Sequence, residues 1–262
     1  MINSFEVKHY NANSKKIPII VIPGFMTEGD NEWGRFVARK TSNPVYIINW
    51  KSFKKRDIFT SQSEFVDFFN ESDKYKAAQI WAATNPRLNY SPLLITLSVL
   101  TSPVRLWFQA CKQADLISFV LATEISKNIS DDEPFILLGH SLGGRIVSRI
   151  TEHVKTNNLI STIVLAGAIG KDDFVNITKS NNEIPVMGFI NYHSNQDQVL
   201  KKLYTLVNLR SAPPVGLDRS NGSRVIERKF FLGHQSYLNN DELGSDLRLM
   251  VNRIQNIHDT EM

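Results

Sequence analysis

Short runs of consecutive apolar residues alternate along the chain with longer stretches in which apolar residues recur every three or four positions. A continuous run bounded by turn residues is typical of a strand buried on both faces. The predicted strands are Ile17–Ile22, Val45–Trp50, Phe135–Leu138, Thr162–Ala166, Val186–Tyr192 and, as a more alternating edge strand, Val225–Leu232. Strands alternating with helices imply βαβ crossovers. The pattern therefore predicts an α/β fold, a mostly parallel sheet flanked by helices.

The clearest helical patterns are Pro103–Asn128, Ile146–Lys155 and Gln198–Val207. Residues 51–103 do not fit the alternation, because they are rich in Phe, Trp and Leu but contain no convincing strand. A loop of that length is unusual inside a compact domain. We expect one domain over residues 1–262 with a helical insertion at 51–103. The insertion either covers the sheet or forms a lid over a substrate pocket.

Composition narrows the function classes. The 262 residues carry a net charge of +4, and the compact basic cluster is Lys51, Lys54, Lys55 and Arg56. A nucleic-acid binder usually concentrates basic charge on one face, so we expect no nucleic-acid partner. The cluster would attract an anionic lipid surface weakly, although a solvated face explains it more simply. The single cysteine, Cys111, excludes an internal disulfide framework and a cysteine-based zinc cluster.

The sequence offers no clear targeting or membrane segment. Residues 1–13 are polar, without the basic and then apolar regions of a secretory signal. The nearest membrane candidate, Leu93–Val104, is short and rich in hydroxyl groups, whereas a span needs about 20 apolar residues. We expect a soluble, cytoplasmic protein.

Candidate chemistry appears at Gly139–Gly143, which reads GHSLG between the strand FILL and a helical pattern. G-x-S-x-G in a strand–turn–helix context is the nucleophile elbow of serine hydrolases. Its central residue has a strained backbone, so the positions two residues away must lack clashing side chains, which Gly139 and Gly143 satisfy. Ser141 is the predicted nucleophile, and the following helix N-terminus favours developing negative charge there.

A serine nucleophile needs a base, and an acid that orients the base. The six histidines are His9, His140, His153, His193, His234 and His258. His234 lies just beyond the last predicted strand, where the chain order Ser, acid, His requires the base. It is the predicted base, with His193 in reserve.

Asp197 is the predicted acid, because it follows the fifth strand at the edge from which a carboxylate reaches the His234 loop. Asp172 and Asp173, after the fourth strand, remain alternatives. Asp197 also suits an ordinary helix N-terminus, which is its competing structural explanation.

Acyl transfer also needs two donors for the oxyanion. One is the backbone N–H of Leu142, and the other should come from the turn PGFMT after the first predicted strand. The N–H of Phe25 is the predicted donor there, with Met26 next. Met26 and His140 are expected to border the bound substrate.

With these segments assigned, the chain resembles an α/β-hydrolase of the serine esterase and lipase superfamily over roughly Ile17–Tyr237. More narrowly, it is similar to the transmembrane and coiled-coil domain-containing family of lipase-like hydrolases. The matching segments are VIPGFMTEGDNEW, VYIINWKS, GHSLGGRIV, NYHSNQDQVLKKLY and GHQSY. This chain departs from that family in lacking transmembrane helices. Soluble bacterial relatives include lipase effectors, so export without a signal peptide is the alternative location.

The resemblance implies the triad Ser141, Asp197 and His234, and hydrolysis of a small-molecule ester or lipid without metal or organic cofactor. A catalytically silent hydrolase-fold module that binds a protein partner or a membrane surface is the competing function, since fold alone does not establish activity. The sequence leaves the acyl chain, the headgroup and the oligomeric state open.

Overall fold

The computed structural model describes residues 5–53, 102–130, 132–154, 156–180, 185–207 and 212–261. Its strands are β1 Phe5–Tyr10, β2 Ile19–Ile22, β3 Val45–Trp50, β4 Phe135–His140, β5 Leu159–Leu165, β6 Phe189–His193 and β7 Val225–Lys229. They form one sheet in the order β1-β3-β2-β4-β5-β6-β7. All neighbours are parallel except β1, which runs antiparallel to β3. The predicted α/β-hydrolase fold is confirmed.

Helices cover both faces of the sheet. They are α1 Glu32–Thr41, α2 Ser102–Asn128, α3 Leu142–His153, α4 Lys171–Ser180, α5 Gln198–Val207 and α6 Asp241–Glu261. Helices α1 and α6 bury apolar side chains such as Phe36 and Leu247 against one face. The other four pack on the opposite face through residues such as Trp107, Ile146 and Phe174. Strand β4, in the middle of the sheet, is buried along its whole length.

Several elements lie where the sequence interpretation placed none. Strand β1 has an exposed, charged pattern, and antiparallel pairing with β3 holds it at the edge of the sheet. Helix α6 occupies a segment for which the sequence pattern predicted no element. It presents Leu243, Leu247, Val251 and Ile254 at helical spacing, and the Asn240 side chain accepts the N–H of Leu243 at its first turn. Helices α1 and α4 were also missed.

The predicted insertion at 51–103 lies outside the described residues apart from its two ends. Strand β3 leads into Phe53 at one end, and α2 begins at Ser102 at the other. Phe53 packs edge-on against Phe25, with 6.1 Å between ring centroids. In the described part of the chain, no helix has the length and apolar character needed to cross a bilayer.

Candidate active site

The carboxyl ends of the parallel strands bring three predicted side chains together. Ser141 directly follows β4, Asp197 follows β6, and His234 follows β7. The His234 Nε2 atom lies 3.0 Å from the Ser141 Oγ atom, and His234 Nδ1 lies 2.6 Å from Asp197 Oδ2. The three side chains are therefore connected by two consecutive hydrogen bonds, although they lie on three different loops.

The turn that carries Ser141 has an unusual backbone. Ser141 has φ 55° and ψ −119°, in the region that side-chain-bearing residues rarely adopt, and α3 begins at the next residue. A Cβ atom at Gly143 would lie 1.9 Å from the carbonyl oxygen of Ile22. Only glycine therefore lets the helix begin this close to the end of β2. The Ser141 side chain consequently lies beside the loops after β6 and β7.

Asp197 orients the imidazole of His234. Its side chain is fully buried, and its second oxygen, Oδ1, accepts the N–H of Leu200 at 2.8 Å in the first turn of α5. A carboxylate only accepts hydrogen bonds, so the contact with Asp197 favours the His234 tautomer that carries its proton at Nδ1. Nε2 is then the acceptor that faces the Ser141 hydroxyl.

The alternative acid and base residues lie elsewhere. Asp172 and Asp173 are exposed in the first turn of α4, where Asp173 forms an ion pair with Arg149 at 3.2 Å. His193 is buried at the end of β6, with its Nε2 atom 3.9 Å from the Glu227 carboxylate. In the described part of the chain, the His234 ring forms hydrogen bonds with Asp197 and Ser141, the predicted acid and nucleophile.

The turn after β2 lies beside Ser141, and its residue Phe25 lines the same cavity as Ser141. The N–H of Met26 donates to the carbonyl oxygen of Ser52 at 2.8 Å, which favours Phe25 over the reserve choice Met26 as the predicted oxyanion donor. The N–H groups of Phe25 and Leu142 have no acceptor among the described residues. The assignment of these two N–H groups to an oxyanion hole stays a prediction, and an oxyanion hole requires such unpaired donors.

Trp50 holds this turn, and sequence reasoning missed its role. At the end of β3, its indole Nε1–H donates to the carbonyl oxygen of Pro23 at 2.8 Å, inside the core. A Cβ atom at Gly24 would lie 2.8 Å from the Cβ atom of Ser141, so glycine is needed for the close approach of the turn. A sequence signal for this role did exist: Trp50 ends β3, and β3 pairs with β2, the strand that leads into the PGF turn.

A cavity of about 440 Å³ reaches the Ser141 side chain. Its apolar lining residues are Phe25, Trp33, Trp107, Val199 and Leu238. Its polar lining residues include Thr27, Asp30, Glu32, Gln235 and Asn239. Met26 and His140, which the sequence interpretation places beside the substrate, also line it. A concave site in which apolar walls and polar groups meet is typical of small-molecule binding.

His140 is buried between two other rings. Its imidazole stacks on Trp33 with 4.4 Å between centroids and lies 4.8 Å from the ring of His234. Neither ring nitrogen has a hydrogen-bond partner in the described part of the chain. Burial, and secondarily the charge of His234, lower the pKa of His140 well below its ordinary value of 6.5. His140 is therefore neutral in the folded protein near neutral pH.

Replacing His140 with Phe should weaken the dependence of stability on acid pH. Below about pH 6.5 the unfolded chain binds a proton at His140 that the folded chain does not, so wild type loses stability as the pH falls. The loss is at most about 1.4 kcal/mol per pH unit for this group, until the pH reaches its folded-state pKa. Urea unfolding of both proteins at pH 7.5 and 5.5 measures the difference. Equal pH dependence would show that His140 takes up its proton in the folded state.

The fold has distant likenesses among solved structures. An esterase from the archaeon Pyrobaculum calidifontis is 9% identical, with 97% of this chain and 81% of that chain covered and a TM-score of 0.48. A Bacillus cereus carboxylesterase is 9% identical, with 97% and 96% covered and a TM-score of 0.46. The mouse alpha/beta hydrolase domain-containing protein 10 is 15% identical, with 98% and 95% covered and a TM-score of 0.43.

A scan of protein-family models found no match to this chain, and a search of curated protein sequences found none either. The narrower likeness to the transmembrane and coiled-coil domain-containing family stays a prediction. At such low identities and TM-scores, the solved structures say nothing about the reaction of this chain.

Proposed function

We propose that the chain is a serine hydrolase that cleaves carboxylic esters through an acyl-enzyme intermediate, with Ser141 as nucleophile, His234 as general base and Asp197 as the orienting acid. The observation that carries this proposal is the hydrogen-bonded series Asp197–His234–Ser141, with contacts of 2.6 and 3.0 Å. Such a series at the strained strand–helix turn is the arrangement of a nucleophile elbow and its triad.

In the first half-reaction, Ser141 Oγ attacks the ester carbonyl carbon while His234 Nε2 takes the hydroxyl proton. The electron pair of the C=O bond moves to the carbonyl oxygen, which the N–H groups of Phe25 and Leu142 stabilise. The pair then re-forms the C=O bond and the C–O bond to the alcohol breaks. The alcohol leaves with the proton from His234, and Asp197 stabilises the transient imidazolium.

In the second half-reaction, water attacks the acyl group on Ser141 while His234 again takes a proton. The tetrahedral intermediate collapses, the bond between Ser141 Oγ and the acyl carbon breaks, and the proton returns to Oγ. A carboxylic acid is released. The cycle uses the chain's own groups and water.

The cavity supports an ester with an apolar acyl group, of the kind found in lipids. Phe25 and Trp107 form an edge-to-face pair with 5.4 Å between centroids, in the wall that also contributes a proposed oxyanion donor. Transfer of acyl carbons from water to such a wall is worth about 0.8 kcal/mol for each buried CH₂ group.

A fluorophosphonate probe tests the function directly, because it modifies activated serine nucleophiles. We expect covalent labelling of wild type at Ser141, located by peptide mass spectrometry, and protection by p-nitrophenyl esters. Protection should strengthen as the acyl chain lengthens until the cavity is filled. A folded protein that neither takes the probe nor hydrolyses any ester of the series would favour the silent, partner-binding module instead.

A further inference from the structure

Ser194 lies between the end of β6 and Asp197, and none of its surface is exposed. Its backbone N–H donates to the carbonyl oxygen of Gly216 at 2.9 Å, and its own carbonyl oxygen accepts the N–H of Asp197 at 3.3 Å. Ser194 is therefore fixed to the neighbouring 212–216 loop on one side and to the proposed acid on the other.

The Ser194 hydroxyl joins the loops that carry the acid and the base. Its Oγ atom accepts the N–H of Gln196 at 3.1 Å and the N–H of Leu232 at 3.0 Å. Gln196 directly precedes Asp197, and Leu232 is two residues before His234. One buried oxygen atom thus links the two loops, beyond the point where the Phe230 N–H donates to the carbonyl oxygen of His193 at 2.9 Å and continues the β6–β7 pairing.

The hydrogen bond from Leu232 to Ser194 is one of few that join the two loops. Between residues 194–197 and 231–234, the hydrogen bonds of the described structure are this one and the Asp197–His234 contact itself. Catalytic groups must be held within about 0.5 Å of their productive geometry. Without the Ser194 oxygen, the exposed residue Gln196 and the half-buried residue Leu232 would lose the acceptor of their N–H groups, so the loops would shift to reach water or another acceptor.

We propose that Ser194 is a positioning residue, whose hydroxyl oxygen fixes the distance between Asp197 and His234 by binding both of their loops. The inference rests on the proposed function, because positioning matters for turnover only if the two residues act on Ser141. Ser194 does not line the cavity described above, and no described hydrogen bond joins it to Ser141.

The test compares Ser194→Ala with Ser161→Ala. Ser161 is a matched control because it is also buried and its hydroxyl donates to the carbonyl oxygen of Gly188 at 3.0 Å. This bond lies near the amino ends of β5 and β6, away from the proposed triad. We expect Ser194→Ala to lower kcat for a p-nitrophenyl ester by about 10- to 100-fold with KM nearly unchanged, as losses of supporting hydrogen bonds around a site commonly do. Ser161→Ala should keep a kcat close to that of wild type.

Proton NMR gives a second measurement that a purely structural role would not change. The Nδ1 proton of His234, in a short bond to a carboxylate, should give a strongly downfield resonance that weakens or moves upfield in Ser194→Ala and stays in Ser161→Ala. Ser194→Cys, with a weaker acceptor of similar size, should be intermediate and provides the comparison if the alanine variant does not fold.

Two results would overturn the inference: equal kcat losses in Ser194→Ala and Ser161→Ala, or an unchanged His234 resonance in folded Ser194 variants. Absence of ester hydrolysis and probe labelling in wild type would instead refute the proposed function. In that case the NMR comparison still decides whether Ser194 sets the Asp197–His234 geometry.

Discussion

Replacing Ser141 with Ala should lower kcat for ester hydrolysis by about 10⁴-fold or more, because the variant has no nucleophile and retains only cavity binding and the oxyanion donors. KM should change little, since the hydroxyl contributes mainly to the chemical step. Steady-state kinetics on a p-nitrophenyl ester, with active-site titration of wild type, measures the loss.

Ser148→Ala is the matched control for this experiment. Ser148 is buried in α3, two turns from the nucleophile, and its hydroxyl donates to the carbonyl oxygen of Gly144 at 2.8 Å. We expect that variant to keep wild-type kcat within a few-fold. A folded Ser141→Ala protein with full esterase activity would rule out Ser141 as the nucleophile.

His234→Ala should cost roughly 10⁶-fold in kcat and Asp197→Asn roughly 10⁴-fold, because a misoriented imidazole still accepts some protons whereas a missing one accepts none. In Asp197→Asn the side-chain amide offers a donor to Nδ1, which favours the ring tautomer that cannot take the Ser141 proton at Nε2. The same kinetic assay measures both variants.

Asp173→Asn provides the contrast for the acid. Its carboxylate pairs with Arg149 on the surface, and a largely exposed ion pair contributes about 0–1 kcal/mol to stability. We therefore expect Asp173→Asn to retain nearly full activity. A larger loss of kcat in Asp173→Asn than in Asp197→Asn would assign the acid to the loop after β5 instead.

The buried strands were predictable because their signal is local. Strand β4, for example, enters from Pro134 as a continuous apolar run, and it lies in the middle of the sheet. Strand β1 was missed, since FEVKHY owes its conformation to pairing with β3 rather than to an apolar pattern of its own. Helix α6 was missed although Leu243, Leu247, Val251 and Ile254 recur at helical spacing, because polar and charged residues stand between them along the chain.

The proposed triad could be chosen from the sequence because chain order and strand ends restrict it. Ser141, Asp197 and His234 each follow a strand, and parallel strands end at one edge of the sheet. Trp50 and Ser194 could not be found in this way. Their roles depend on hydrogen bonds to backbone groups of segments distant in sequence, and the residue type alone does not indicate which backbone group it binds.

The backbone conformation of Ser141 implies a trade-off between the folding stability of the protein and its activity. Its φ of 55° costs on the order of 1–3 kcal/mol for a residue with a side chain, out of a total folding stability of about 5–15 kcal/mol for a typical protein. Glycine at this position would relieve that cost and remove the hydroxyl in the same step. Selection for stability alone would therefore favour losing the nucleophile, so an inactive descendant of this chain would be expected to drift towards glycine at position 141.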